Sequence, residues 1–373
     1  MSANRLRSFA TGLFAVLSAV LLLRGQPASG QEKHLLYVAS PGVRNLVEYG
    51  GVGILVFDID DGFRFVKRIP TWTVPPGKEP DNVKGIAASA KTGRVYVTSL
   101  TRMMALDAVT GKVFWDQACD GGCDRLAISP DGKTLYVPQL EGQFWNVVNA
   151  ATGAVIRKIE GSSGSHNTIS SLNGKQVYLA GLRSPILSVV DARSKKVVRQ
   201  VGPFSGFVRP FTVNGSNTLC FVNVNGLLGF EVGDLRTGRK LASVTVKGYQ
   251  QGPVKRHSCP SHGIALSPDE KELWVADGAN FMIHIFDATV MPPSQMSSIH
   301  VRDIPAWISF SLDGRFAFSS TGEIIDAATK KVVATLQDEN GRQIQSEKLL
   351  ELTIADGKVV RAGNQFGVGM KQK

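Results

Sequence analysis

The sequence predicts an all-β chain, a seven-bladed β-propeller whose first blade is closed by strands from both ends of the chain. Three observations predict it. Apolar and polar residues alternate in short runs separated by turn residues. From Cys123 to Ile159, for example, Leu126/Ile128, Leu135/Val137, Phe144/Val147 and Val155/Ile159 mark four short strands. A closing pattern, Asp/Asn-x-x-Thr-Gly-x-Val with substitutions, begins at Asp107, Asn149, Asp191, Asp234 and Asp326, the first four starts lying 42, 42 and 43 residues apart. Such a period, about 40–45 residues with four strands per unit, is what propeller blades produce. Finally, no segment sustains a helical period.

Residues 1–30 carry Arg5 and Arg7, an apolar run from Phe9 to Leu23 and a small-residue exit at Ala28-Ser29-Gly30. This order of basic, apolar and small segments matches a secretory signal peptide, and the run is too short and too simply flanked for a membrane span. The mature protein is expected to begin near Gln31 and to form one domain over 31–373, in the periplasm or secreted. The cleavage site has no cysteine and the leader no consecutive arginine pair, which argues against a lipid anchor and against folded export.

Six blades follow as Val83–Ala118, Cys123–Ile159, His166–Val201, Arg209–Val246, His262–Val301 and Ala306–Leu336. The seventh is split. His34–Ile69 supplies its middle and outer strands, and the C-terminal segment from Leu349 to Val359 supplies the innermost one. Joining the chain ends in one sheet removes an exposed edge and resists opening of the ring. Looser copies of the closing pattern begin at Asp58 and Asp287, the second with an insertion, Met291–Met296. That insertion, and Tyr49–Gly53 with the proline-rich 70–80 stretch around Trp72, are expected to cover blade edges.

The second strand of the unit reads Tyr37-Val-Ala-Ser40, Tyr96-Val-Thr-Ser99, Tyr136-Val-Pro-Gln139 and Trp274-Val-Ala-Asp277. Ser-Pro-Asp-Gly or Ser-Pro-Asp-Glu turns precede it at Ser129 and Ser267. On these residues the chain resembles the YVTN-repeat, YncE-like β-propellers over nearly all of its mature length. The resemblance implies the fold; it leaves function open, because propellers of this type serve as binding scaffolds, lactonases and redox subunits.

Removing the three arginines of the leader takes the formal charge from +11 to +8. The basic residues are spread over all the repeats without interleaved aromatics, which argues against a nucleic-acid groove and leaves a small or extended anionic ligand, or a protein partner, as the expectation. The chain is expected to act as a monomer. Export places the four cysteines where disulfides persist. In Cys119-Asp-Gly-Gly-Cys123 the two glycines let the loop curl tightly enough to pair the thiols. Cys220, inside an apolar strand, reads as a buried small side chain.

Any chemistry belongs at the central mouth, where the residue entering the innermost strand of each blade faces the axis. Aligning the apolar pairs Ile86/Ala88, Leu126/Ile128, Phe211/Val213, Ile264/Leu266 and Ile308/Phe310 identifies the residue two places before each pair. These residues are Lys84, Asp124, Arg209, His262 and Ala306, with His166 as the equivalent in the remaining repeat. Five of the six are ionisable, and Lys84, Asp124, His166, Arg209 and His262 form the expected ligand-binding ring, suited to an anionic or zwitterionic small molecule.

A second reading rests on Lys255-Arg-His-Ser-Cys-Pro-Ser-His-Gly263, where His257, Cys259 and His262 fall within six positions. With His166 they offer imidazole and thiolate ligands suited to copper or zinc. A metal-dependent oxidoreductase on that set resembles nitrous-oxide reductase, whose propeller-borne copper centre needs many more histidines than the six of this chain. Hydrolysis of a lactone by Arg209, His166 and His262 is a third reading, implied by related propellers. There is no Gly-x-Ser-x-Gly elbow, no His-Glu-x-x-His pair and no phosphate-binding glycine loop.

Overall fold

A computed structural model describes Met1 and residues 32–371 apart from Lys255 and Ser258. The leader expected over residues 1–30 therefore lies, Met1 apart, outside the described residues. Seven antiparallel sheets form the seven blades of a β-propeller. Blade 1 contains Lys33–Ser40, Gly53–Asp58 and Arg64–Ile69. Blades 2 to 7 begin with the innermost strands Val83–Ser89, Ala127–Ile128, Ser165–Ser170, Val208–Val213, Ser261–Leu266 and Ile308–Phe310, and each continues outward through three more strands.

The recurring sequence pattern is the turn between the third and fourth strands. The carboxylate of Asp107 accepts from the backbone N–H groups of Val109 and Thr110, and Gly111 N–H closes the turn onto Asp107 O at 2.9 Å. Asn149, Asp191, Asp234 and Asp326 organise their turns in the same way. The closing residue is left-handed throughout, glycine at 111, 153 and 238 but Lys195 and Lys330 in two blades. That is why the written motif loses its glycine there. Both lysines also reach back to the preceding blade, Lys195 onto the Tyr136 hydroxyl and Lys330 onto Glu272 beside Trp274.

An aromatic residue on each second strand fills the space between blades. Tyr37, Tyr96, Tyr136, Tyr178, Phe221, Trp274 and Phe318 are all essentially inaccessible. Burial falls from the axis outward: every residue of Val208–Val213 is buried, whereas in the outermost strand Val155–Glu160 only Ile159 is. A sheet buried on both faces near the axis and on one face at the rim gives the short mixed runs seen in the sequence. Trp72 packs partly buried on the core between blades 1 and 2 and donates to Asp116 at 3.1 Å, in the covering role expected of that loop.

The closure of blade 1 extends beyond the expectation. Leu349–Ala355 takes the place that the innermost strand has in the other blades, paired with Lys33–Ser40, and Lys358–Ala362 adds a fifth strand at the edge of that sheet. The tail then crosses the lower end of the channel. Gln365 accepts from Ile86 N–H and donates to Leu126 O, and its own carbonyl accepts from the Trp307 indole. Gly367 O accepts from Leu266 N–H and the Thr212 hydroxyl, Gly369 N–H donates to Val213 O, and Met370 N–H donates to Pro268 O. Phe366 packs edge-on against Trp307 at 5.7 Å. Five blades are thus tied to one short segment that closes the base.

Candidate functional site

The strand registers define the axial ring. In each blade the second-strand aromatic stands opposite the residue three places after the ring position, as Tyr96 opposite Ala87, Tyr136 opposite Ala127, Tyr178 opposite Ile169 and Phe221 opposite Thr212. Trp274 opposite Ala265, Phe318 opposite Ser309 and Tyr37 opposite Leu350 complete the set. The seven equivalent positions are therefore Lys84, Asp124, His166, Arg209, His262, Ala306 and Glu347. Six match the positions expected from the sequence; Glu347 is the seventh, hidden because the residues two and four places on are Leu349 and Glu351, which break the apolar pair.

Above the ring lies a cavity of about 200 Å³, opposite the end closed by the tail. Six basic side chains line it, Arg44, Lys84, Arg125, Arg209, Arg256 and Lys348, against the carboxylates of Glu141 and Glu347. His166, His257 and His262 complete the polar wall. Tight entry of the inner strands is permitted by Gly85 and Gly263, each following a ring residue. A Cβ at Gly263 would stand 2.5 Å from Trp307 Cα, and one at Gly85 would stand 2.9 Å from Arg125 Cα.

Asp124 does not face the cavity; it is 0% exposed and lies behind the wall. It accepts from His166 Nδ1 in a short hydrogen bond and from the Arg125 N–H, with Lys84 Nζ 3.6 Å away. Burial pushes its carboxyl up, but His166, Lys84 and Arg125 together outweigh that and hold it below the ordinary range. For His166 burial wins: despite Asp124 its pKa falls to about 4, with Lys84 and Arg209 adding to the drop. His166 is thus neutral at neutral pH, Nδ1–H directed to Asp124 and Nε2 without a hydrogen-bond partner among the described residues.

On the other side of the mouth Glu347 binds Arg125 and Lys348 and stands 3.0 Å from His257 Nε2. Burial raises its pKa, but Lys348, His257 and Arg125 override this and hold it well below the carboxylate range. The Arg125 guanidinium also lies over the Trp307 ring at 3.6 Å, a cation–π contact that fixes it in the wall. His257 and His262 stack in parallel, centroids 3.8 Å apart, and His262 donates from Nδ1 to Ala306 O at 2.8 Å. Burial lowers the pKa of both; His257 and Arg209 lower His262 further, and for His257 Glu347 opposes the drop while Lys348 and Arg125 deepen it. At neutral pH both rings are neutral.

Arg209 differs from every other cation here. It is 6% exposed, it forms no ion pair among the described residues, and its buried Nε has no hydrogen-bond partner. Asn82 Oδ1, also at the cavity wall, is likewise buried and unbonded.

The four residues considered as metal ligands reach one region but not one point. Stacked imidazoles direct their in-plane nitrogens side by side rather than toward a common centre. Cys259 is buried, donates to Ser261 O at 2.8 Å and does not line the mouth. Burial raises its thiol to about 11, with Arg209 opposing the rise. Among the described residues no three His, Cys, Asp or Glu side chains are placed to hold a metal ion. The Cys119–Cys123 disulfide is formed, as the spacing predicts, and Cys220 and Cys259 are free and buried.

No protein-family model and no curated protein matches this chain. The site therefore has to be read from its own chemistry.

Proposed function

We propose that this chain is an exported binding protein of the YVTN-repeat type that takes a small anion with two or more negative charges into its axial mouth. The observation that carries the reading is Arg209, a cation buried at the mouth without a carboxylate, in a wall where cations exceed acids. Burying a guanidinium without a counter-charge is costly, and an arriving carboxylate or phosphate relieves that cost through charge-assisted hydrogen bonds. The closed base makes the mouth a blind pocket, which favours a compact ligand over a threaded polymer. The leader-like residues 1–30, the disulfide and the placement of the repeated turns support the exported, YVTN-like assignment.

The test is thermal unfolding of the mature protein with citrate, 2-oxoglutarate, glucose 6-phosphate and galacturonate, with glucose and choline as neutral and cationic controls. A rise in Tm with at least one multiply charged anion, weakened at high salt and absent with the controls, is expected. Equal response to controls and anions, or none to any, would count against the reading.

A further inference from the structure

We propose that Lys348 is a nucleophilic amine that forms a reversible imine with a 2-oxo acid whose carboxylate is held at the mouth by Arg209. This rests on the anion-binding reading above and names the chemical class of its ligand.

The geometry makes Lys348 unlike the other lysine of the mouth. Lys84 is turned to the Asp124 carboxylate, which compensates its charge. Lys348 is 3% exposed, and its Nζ donates to Gly42 O at 2.7 Å and to Glu347 Oε2 at 3.1 Å. A neutral amine has two N–H bonds and one lone pair. The two acceptors account for both N–H bonds, and among the described residues the lone pair is left without a partner on a side chain that lines the cavity. Glu347 cannot serve Lys348 alone, because the same carboxylate also holds Arg125.

The electrostatics agree with the geometry. Burial lowers the Lys348 pKa to about 7; Glu347 opposes the drop and Arg125 and Lys84 deepen it. An amine desolvated and placed beside other cations is the activated form used for attack on carbonyls. At pH 7 its neutral fraction is about a thousandfold that of an ordinary lysine.

The step balances without an oxidant or a second reactant. The lone pair attacks the oxo carbon and gives a carbinolamine; the carbonyl oxygen then leaves as water with the two hydrogens of the amine, and a C=N bond remains. The carboxylate adjacent to the oxo carbon needs a fixed cation close by, and the excess positive charge of the mouth supplies it.

The experiment incubates mature protein with pyruvate or 2-oxoglutarate and sodium cyanoborohydride, then measures intact mass and maps peptides. One reduced adduct per chain at Lys348 is expected, absent in Lys348→Arg and suppressed by malonate, which has charge but no oxo group. In case the variant fails to fold, the wild-type protein is labelled with trace acetic anhydride across pH. Lys348 should then label with a midpoint near its pKa of about 7. A 2-oxo acid at about ten times its Kd should protect it about tenfold relative to the exposed Lys175. Adducts distributed over exposed lysines, or no adduct while the same acids still raise Tm, would overturn the imine and leave the anion site standing. No adduct and no thermal shift would overturn both.

Discussion

The two ends of the axial channel are built from the same seven strands and treated in opposite ways. At the base, Gln365, Gly367, Gly369 and Met370 consume the backbone groups that the inner strands leave over, and Phe366 and Val368 are buried among them. At the mouth the strands end in charged residues, and Arg209 Nε and Asn82 Oδ1 have no hydrogen-bond partner among the described residues. A propeller does not need an open mouth for stability, since this chain shows how few residues close the other end. Buried side-chain atoms without a hydrogen-bond partner also occur along the strands, at Asn146, Ser309 and Thr353; the difference at the mouth is that the Arg209 group carries a full charge and stands at a cavity wall, where a ligand would meet it.

The comparison predicts that changes at the base cost stability and changes at the mouth cost binding. Deleting residues 349–373 has the largest effect: it removes the innermost strand of blade 1 together with the tail, and the product should show no cooperative unfolding by circular dichroism. Phe366→Ala, which leaves the strand in place, should cost about 3–5 kcal/mol in urea unfolding. A loss below 1 kcal/mol there would mean that the tail is not part of the core.

Glu347→Gln tests the side of the mouth that is already paired. It leaves Arg125 and Lys348 buried without their carboxylate and should also cost about 3–5 kcal/mol. Acid gives a smaller, graded effect. Unfolded histidines take up protons near pH 6.5. In the folded protein His166 does so only near 4, and burial lowers His257 and His262 as well. Between those values the unfolded state binds more protons, so stability falls as pH drops from about 6.5 to 4. Below about 4 the depressed carboxyls of Asp124 and Glu347 add a further loss. Urea midpoints that stay flat across the histidine window would show that the mouth is wetter than its burial implies.

Much of this architecture is legible in the sequence because propeller turns are chemically specific. The carboxylates of Asp107, Asp191 and Asp234 organise backbone N–H groups that only such a turn presents, and their spacing counts the blades. The ring at Lys84, Asp124, His166, Arg209 and His262 follows from side-chain alternation along the inner strands. Glu347 stands at the same register, but its strand comes from the C-terminus, where no Ser-Pro-Asp turn marks it. The tail is illegible for another reason: it is held by backbone groups and one glutamine, which leave no periodic trace. His257, Cys259 and His262 are close in sequence, yet in the structure two of them stack and the thiol turns to Ser261 O. Nearness along a chain does not fix the direction of a side chain.

The smallest expected change in stability belongs to the residue with the largest expected effect on function, and it decides the account. Arg209→Met removes a buried cation that has no counter-charge and replaces it with an apolar chain of similar length. Calorimetric titration with 2-oxoglutarate, beside urea unfolding of the same samples, separates the two roles. The account predicts that stability stays within about 1 kcal/mol of wild type or rises, while the binding heat disappears. Unchanged binding in a well-folded Arg209→Met protein would contradict it.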